Sequence, residues 1–341
     1  MQEPEITQRI AWIDSVKAIA IILVIVVHTI GLYTPSLEYG SGAYTFWHSL
    51  HMFIYILPIP LFFFISGWLF NFDKYLKRPL QFIASRIKTL LVPYIFFSVI
   101  GLIIYSAISG QNIFTIEPPI TLVTDIVTTQ GVGNIISWLW FLPSLFIVEV
   151  MYYILSRFLY PEREGLLKAV MVIVGLFGVI TGIHLTFMTA LIFYGMGHLY
   201  RKSEEREYDE ENVENIWYPI VGFILFLIIQ NYLPNSIWTP SNILSYAVST
   251  AVVLMGVISI TRLIRWFYQK NKIFDVLEII GKNCMIFYIM HGLILMIFKS
   301  YLPAMGTPVD MLIISCLVMA LCYPFIRIFR NYAPFLVGIK N

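Results

Sequence analysis

Two side chains on one early segment have the spacing and the chemistry of a reactive site. Lys17 and His28 are separated by the ten apolar residues Ala18 to Val27. On an α-helix eleven residues turn about 1100°, roughly 20° past three full turns, so both side chains share a face about 16 Å apart. A lysine at the end of a span ordinarily extends its ammonium to the lipid headgroups. A histidine deep inside one faces the interior of a bundle and marks a pathway or a reactive centre. An imidazole there can take a proton as a general base or attack as a nucleophile, and the sequence leaves both open. Asp14 is placed to cap the helix that carries the pair.

Other polar residues fall within apolar runs. Glu149, in L-F-I-V-E-V-M-Y-Y, has no basic neighbour within a helical turn and needs a partner on another helix, either His28 or the basic cluster below it. A protonated glutamic acid bonded to a neighbouring helix and a catalytic carboxylate are equal readings of it. His291, mid-run in M-I-F-Y-I-M-H-G, is expected to cap a buried network or to touch substrate. His51 lies near the outer end of its segment, His48 at the surface, and His198 at the inner end of another. Lys77, Arg78, Arg86 and Lys88 bracket one loop and either attract lipid headgroups, at about 1 kcal/mol each, or hold a polyphosphate.

The elements that position these groups must be membrane-spanning helices. The 341 residues are 59% hydrophobic and 12% charged, with a mean hydropathy of +0.79, too little charge for a soluble chain of this length. Apolar runs of about 20 residues match a hydrocarbon core of roughly 30 Å, whereas barrel strands would be shorter and alternate in polarity. We read ten spans, at 15–33, 47–70, 87–109, 135–159, 166–183, 185–200, 216–233, 242–262, 282–300 and 309–328. With the N-terminus in the cytoplasm, every lysine and arginine of the 22 except Lys299 lies on the inner side, the asymmetry of the positive-inside rule. Fusing the fifth and sixth spans would put Arg201, Arg262 and Lys282 on the wrong sides. The expectation is therefore an all-α polytopic bundle of ten helices with both termini cytoplasmic. It forms a single transmembrane domain over 1–341, with a polar tail at 1–13 and a charged cytoplasmic linker at 201–215. The longest outer loop, 110–134, carries no basic residue. A net charge of +2 gives no reason to expect a nucleic-acid partner, and Cys284, Cys316 and Cys322 form neither a disulfide framework nor a metal-ligand spacing.

Five stretches resemble, in order, the acyltransferase-3 family of membrane proteins. They are D-S-V-K followed by ten residues and His28, Pro60 to Phe70 (P-L-F-F-F-I-S-G-W-L-F), Arg86 to Tyr94 (R-I-K-T-L-L-V-P-Y), Leu139 to Glu149 (L-W-F-L-P-S-L-F-I-V-E) and Ile280 to His291 (I-G-K-N-C-M-I-F-Y-I-M-H). Two departures stand out: Lys17 replaces the commoner arginine, giving a point charge instead of a bidentate fork, and Pro58 stands where some relatives have histidine. The resemblance implies transfer of an acyl group, often acetyl, from cytoplasmic acyl-CoA to a hydroxyl or amine. The acceptor is a cell-envelope glycan, a lipid-linked sugar or a small molecule, and the chain sits as a multi-pass protein of the plasma membrane. His28 would act as base or be acylated itself, with Glu149 orienting an imidazole. Lys17, Arg78, Arg86 and Lys88 would hold the phosphates of acetyl-CoA or another acyl-CoA, a donor substrate rather than a resident cofactor. Ser66, Trp140, His291 and His51 would line the substrate pocket, with Gly67 letting backbones approach. The competing expectation is an exporter or flippase of glycan or lipid, with His28 and Glu149 along its path. A sensor or assembly partner without chemistry is the third.

Overall fold

The computed structural model describes residues 11–112, 137–181, 186–207, 215–230, 242–270, 275–302 and 308–338, with single positions between 232 and 240. The outer loop expected at 110–134 lies outside these from residue 113 on, as do 1–10 of the N-terminal tail, 208–214 of the charged linker, and 339–341. The helices are α1 (Ala11–Tyr33), α2 (Gly42–Tyr55), α3 (Pro58–Trp68), α4 (Phe72–Tyr75), α5 (Pro79–Arg86), α6 (Val92–Ser109), α7 (Phe141–Leu159), α8 (Glu164–Thr181), α9 (Thr186–Glu207), α10 (Trp217–Gln230), α11 (Ile243–Lys270), α12 (Asp275–Lys282), α13 (Cys284–Tyr301) and α14 (Pro308–Tyr332). No strand occurs among the described residues. Eight stretches within them are long and apolar enough to cross a membrane. The two other expected spans are also helical. In α9 the last turns carry Arg201, Lys202 and Glu204. In α10 the 14 residues extend only about 21 Å.

Two expected spans are built differently from the sequence reading. The span at 47–70 is two helices, α2 and α3, because Pro58 and Pro60 supply no backbone N–H and the chain restarts at Pro58. Ser41 starts α2 by accepting the backbone N–H of Tyr44 at 3.1 Å. The span expected at 87–109 begins earlier, at Pro79 in the first turn of α5. A π turn, Ile87–Leu91, joins α5 to α6, and the N–H of Val92 reaches back five residues to the carbonyl of Ile87. Pro93 has no N–H for the ordinary bond to Thr89, and the wider turn makes room for its ring. Helix α6 ends where Gly110, at φ 69°, turns left-handed and donates to the Ser106 carbonyl at 2.9 Å.

Without water between helices, close packing must hold them together, and small residues set how close they come. A Cβ on Gly67 of α3 would lie 1.8 Å from the carbonyl oxygen of Tyr194 in α9. A Cβ on Gly197 of α9 would lie 1.9 Å from that of Phe64 in α3. The two glycines thus seat the two helices backbone against backbone. Gly281 of α12 does the same against Asp14 of α1, at 1.7 Å. Asn283 makes the break between α12 and α13. Its Nδ2 donates to the Ile279 carbonyl at 2.6 Å and its Oδ1 accepts from Arg330 Nε at 3.0 Å.

One end of the bundle is basic. There Arg201 lies over the Trp68 ring at 5.0 Å and donates to the Trp68 carbonyl at 3.3 Å. Arg265 lies over Trp12 at 5.4 Å and pairs with Glu204 at 2.9 Å, and Arg262 Nε donates to the Tyr200 hydroxyl at 2.5 Å. These contacts tie α1, α3, α9 and α11 together and give three arginines fixed places.

Candidate active site

Helix α1 runs from the basic end through the bundle, and α13 packs beside it. Their histidines meet. His28 Nδ1 lies 2.8 Å from His291 Nε2, and His291 Nδ1 lies 3.0 Å from the Phe287 carbonyl oxygen. The imidazole planes differ by 4° with centroids 5.1 Å apart. A face-to-face stack at that centroid separation cannot bring two nitrogens within 2.8 Å, so the rings lie edge to edge in one plane, joined by a hydrogen bond. The carbonyl of Phe287 can only accept, which makes His291 Nδ1 a donor. In the neutral pair His291 Nε2 then accepts, His28 Nδ1 donates, and the remaining lone pair is on His28 Nε2. The relay fixes which nitrogen of His28 is available for chemistry.

His28 lines a cavity of about 530 Å³ that opens toward the far end of the bundle, a volume in the range of small-molecule sites. His51 lines it too. Gly31, one turn beyond His28, admits the His51 ring, since a Cβ there would stand 3.0 Å from its Nε2. The opposite wall is Trp138, from the 3-10 turn Ser137–Trp140 ahead of α7. Its indole rests on Gly292, where a Cβ would fall 2.2 Å from two ring carbons. The glycine after His291 therefore seats the indole beside the imidazole pair. Tyr105 and Lys299 complete the wall toward the mouth.

A second, narrower cavity of about 140 Å³ lies on the basic side. Lys17 and Ser66 are in its lining, with Val24, Phe62, Phe141 and Tyr288. Lys17 Nζ is 3.4 Å from Asp14, whose carboxylate is buried. Val24 stands one turn before His28, about 6 Å along α1, and Tyr288 one turn before His291. The Tyr288 hydroxyl donates to the Trp138 carbonyl. A layer one helical turn thick, made by Tyr288 and the histidine pair, therefore separates the two cavities.

The remaining candidates are distributed around these features. Glu149 is buried, and its partner is Arg86 at the end of α5, 2.8 Å away. The two atoms lie off the line of a straight hydrogen bond, so the contact is an ion pair. Of the two partners anticipated for Glu149, the basic cluster supplies it and the imidazole does not. Arg78 and Lys88 are exposed. Trp140 lies beside Phe141, with centroids 6.4 Å apart, and lines neither cavity. His198 bonds the Tyr152 hydroxyl at 2.8 Å. Sequence reasoning missed Trp138, Tyr288 and Lys299. The strings W-L-W and Y-I-M-H carried the first two within a turn of quoted residues, and Lys299 was the lone basic residue assigned to the outer side.

A family model described as an acyltransferase domain matches residues 10–327. Comparison with curated proteins and with solved structures finds no match. The match covers all five quoted stretches and both cavities, and on that ground the chain belongs to the acyltransferase-3 family of multi-pass membrane proteins.

Proposed function

We propose that the protein transfers an acyl group, acetyl in the first instance, from acyl-CoA at the basic, cytoplasmic end to a hydroxyl or amine of a cell-envelope glycan or lipid-linked sugar reaching it from the far end. The observation that carries this reading is the relay from the Phe287 carbonyl through His291 to His28, which leaves the Nε2 lone pair for a cavity large enough to hold a sugar. His28 Nε2 takes the proton of the acceptor group as the acceptor oxygen or nitrogen attacks the thioester carbonyl. The carbon–sulfur bond then breaks, and the CoA thiolate leaves and receives the proton from the imidazolium. The narrow cavity between Lys17 and Tyr288 suits the extended arm of a CoA thioester. Lys17, at that cavity, and the exposed Arg78 and Lys88 supply positive charge for the donor's phosphates. Arg86, engaged by Glu149, holds α5 and the π turn in place.

The test uses purified protein in lipid nanodiscs with radiolabelled acetyl-CoA. Wild type is expected to turn the label over, and His28→Ala to lose about 10²- to 10⁴-fold in rate while still binding acetyl-CoA. If wild type neither binds nor turns over acetyl-CoA while glycan export depends on the protein, the acyl-transfer reading fails and export takes its place.

A further inference from the structure

The cavity that holds His28 also holds a cation. Lys299, near the C-terminal end of α13, is exposed and lines the cavity near its mouth. Among the described residues it makes no ion pair, in contrast to Lys17, Arg86, Lys168, Lys202, Arg265 and Lys282. A lysine at a membrane edge ordinarily serves by reaching the headgroups. This one shares a cavity with the imidazole of His28 instead, and among the described residues its charge has no partner.

From this, and resting on the acyl-transfer reading of His28, we propose that the acceptor is an anionic glycan, its phosphate or carboxylate held by Lys299 while the hydroxyl to be acylated sits at His28. The spacing sets its size. His291 and Lys299 are eight residues apart on one helix, about 12 Å along the axis, and His291 touches His28. That span matches a short oligosaccharide segment better than a single hydroxyl-bearing group. Between the two points the Trp138 indole, seated on Gly292, offers the aromatic surface on which a sugar ring packs its C–H groups. The three features act on three parts of one ligand: Lys299 on the anion, Trp138 on the ring and His28 on the hydroxyl. Two sources supply this chemistry, the phosphate that joins a sugar to a lipid carrier and an acidic sugar within the glycan itself.

The test compares three synthetic acceptors with the same neutral disaccharide core and an octyl tail. The first is unmodified, the second carries a phosphate between sugar and tail, and the third has a uronic acid in place of one sugar. Binding to wild-type protein in nanodiscs of neutral lipid and transfer from acetyl-CoA are measured for each. One anionic probe is expected to bind about 10-fold tighter than the neutral one and to show a correspondingly lower KM with kcat little changed. Preference for the phosphate probe identifies a lipid-linked acceptor, and preference for the uronic acid an acidic glycan. Lys299→Met should abolish the preference and Lys299→Arg should keep it, and both should unfold at the wild-type temperature. Equal binding of all three probes to wild type, or a preference that survives in Lys299→Met, overturns the proposal. The binding arm needs no turnover. Charge selectivity without acetyl transfer would sink the acyl-transfer reading alone, and turnover without charge selectivity would sink only the role given to Lys299.

Discussion

A histidine whose δ nitrogen already donates a hydrogen bond has a single lone pair left, and in His28 that lone pair sits on Nε2. The partner, His291, is fully buried and takes its own orientation from a backbone carbonyl four residues back on the same helix. On the acyl-transfer reading His291 is thus a positioning residue acting through His28. Replacing it by leucine leaves His28 Nδ1–H without an acceptor, and the ring is then free to turn or to place its proton on Nε2. Loss of such an orienting partner costs about 10²-fold or more elsewhere. We expect kcat for acetyl transfer to fall by about 10²-fold in His291→Leu with KM for acetyl-CoA unmoved. His291→Gln, whose amide oxygen can accept the same hydrogen bond, should recover most of the loss. Steady-state kinetics of the three proteins decide it, since a merely space-filling role would make leucine and glutamine equivalent.

The relay is useful only if α1 and α13 are held in register, and that depends on how closely the helices approach. Where α3 and α9 pack backbone to backbone through Gly67 and Gly197, a methyl group at either position would occupy the space of a carbonyl oxygen. The helices must separate to accept it. Gly67→Ala and Gly197→Ala are each expected to cost about 1–3 kcal/mol, the usual cost of overpacking. Gly42→Ala, which meets nothing within 4 Å, should be neutral. Thermal unfolding in detergent measures all three. These contacts explain what was legible in the sequence and what was not. The apolar runs and the shared face of Lys17 and His28 follow from helical periodicity within one segment, and a reader of the chain recovers them. The small residue in S-G-W was visible as a place of close approach. Its partner in α9 was not, because nothing local says which helix Gly67 meets. For the same reason His291 stood equally as network member or substrate contact until α13 was placed against α1. The break at Pro58 was signalled by two prolines and was passed over because the hydropathy runs through it unbroken. Of the two tryptophans in W-L-W, Trp138 lines the larger cavity and Trp140 lines neither, and the 3-10 turn that carries them sets side-chain directions that no local signal in the sequence gives.

At the scale of the whole molecule the arrangement has two unlike ends. Arg201, Arg262, Arg265, Lys17 and Arg86 gather at one, held by aromatic rings and carboxylates. Lys299 and the larger cavity are at the other. On the proposed reading the basic end is the cytoplasmic one, as the positive-inside rule predicts. On that same reading the narrow cavity opens from the compartment that supplies acyl-CoA and the wide one from the compartment of the glycan, with the layer of Tyr288 and the two histidines between them. This orientation has consequences that vesicles can test. In a background without the three native cysteines, Lys299→Cys should react with a membrane-impermeant maleimide applied to intact cells. Lys88→Cys, exposed on α5's side of the bundle, should react only after permeabilisation. Acetyl-CoA supplied to inverted membrane vesicles should acetylate glycan enclosed in their lumen, and the same acetyl-CoA supplied to right-side-out vesicles should not. Reaction of both cysteines from one side, or acetylation in right-side-out vesicles that are sealed to acetyl-CoA, would mean that donor and acceptor meet His28 from the same side. The layer between the cavities would then be a wall instead of the place of transfer.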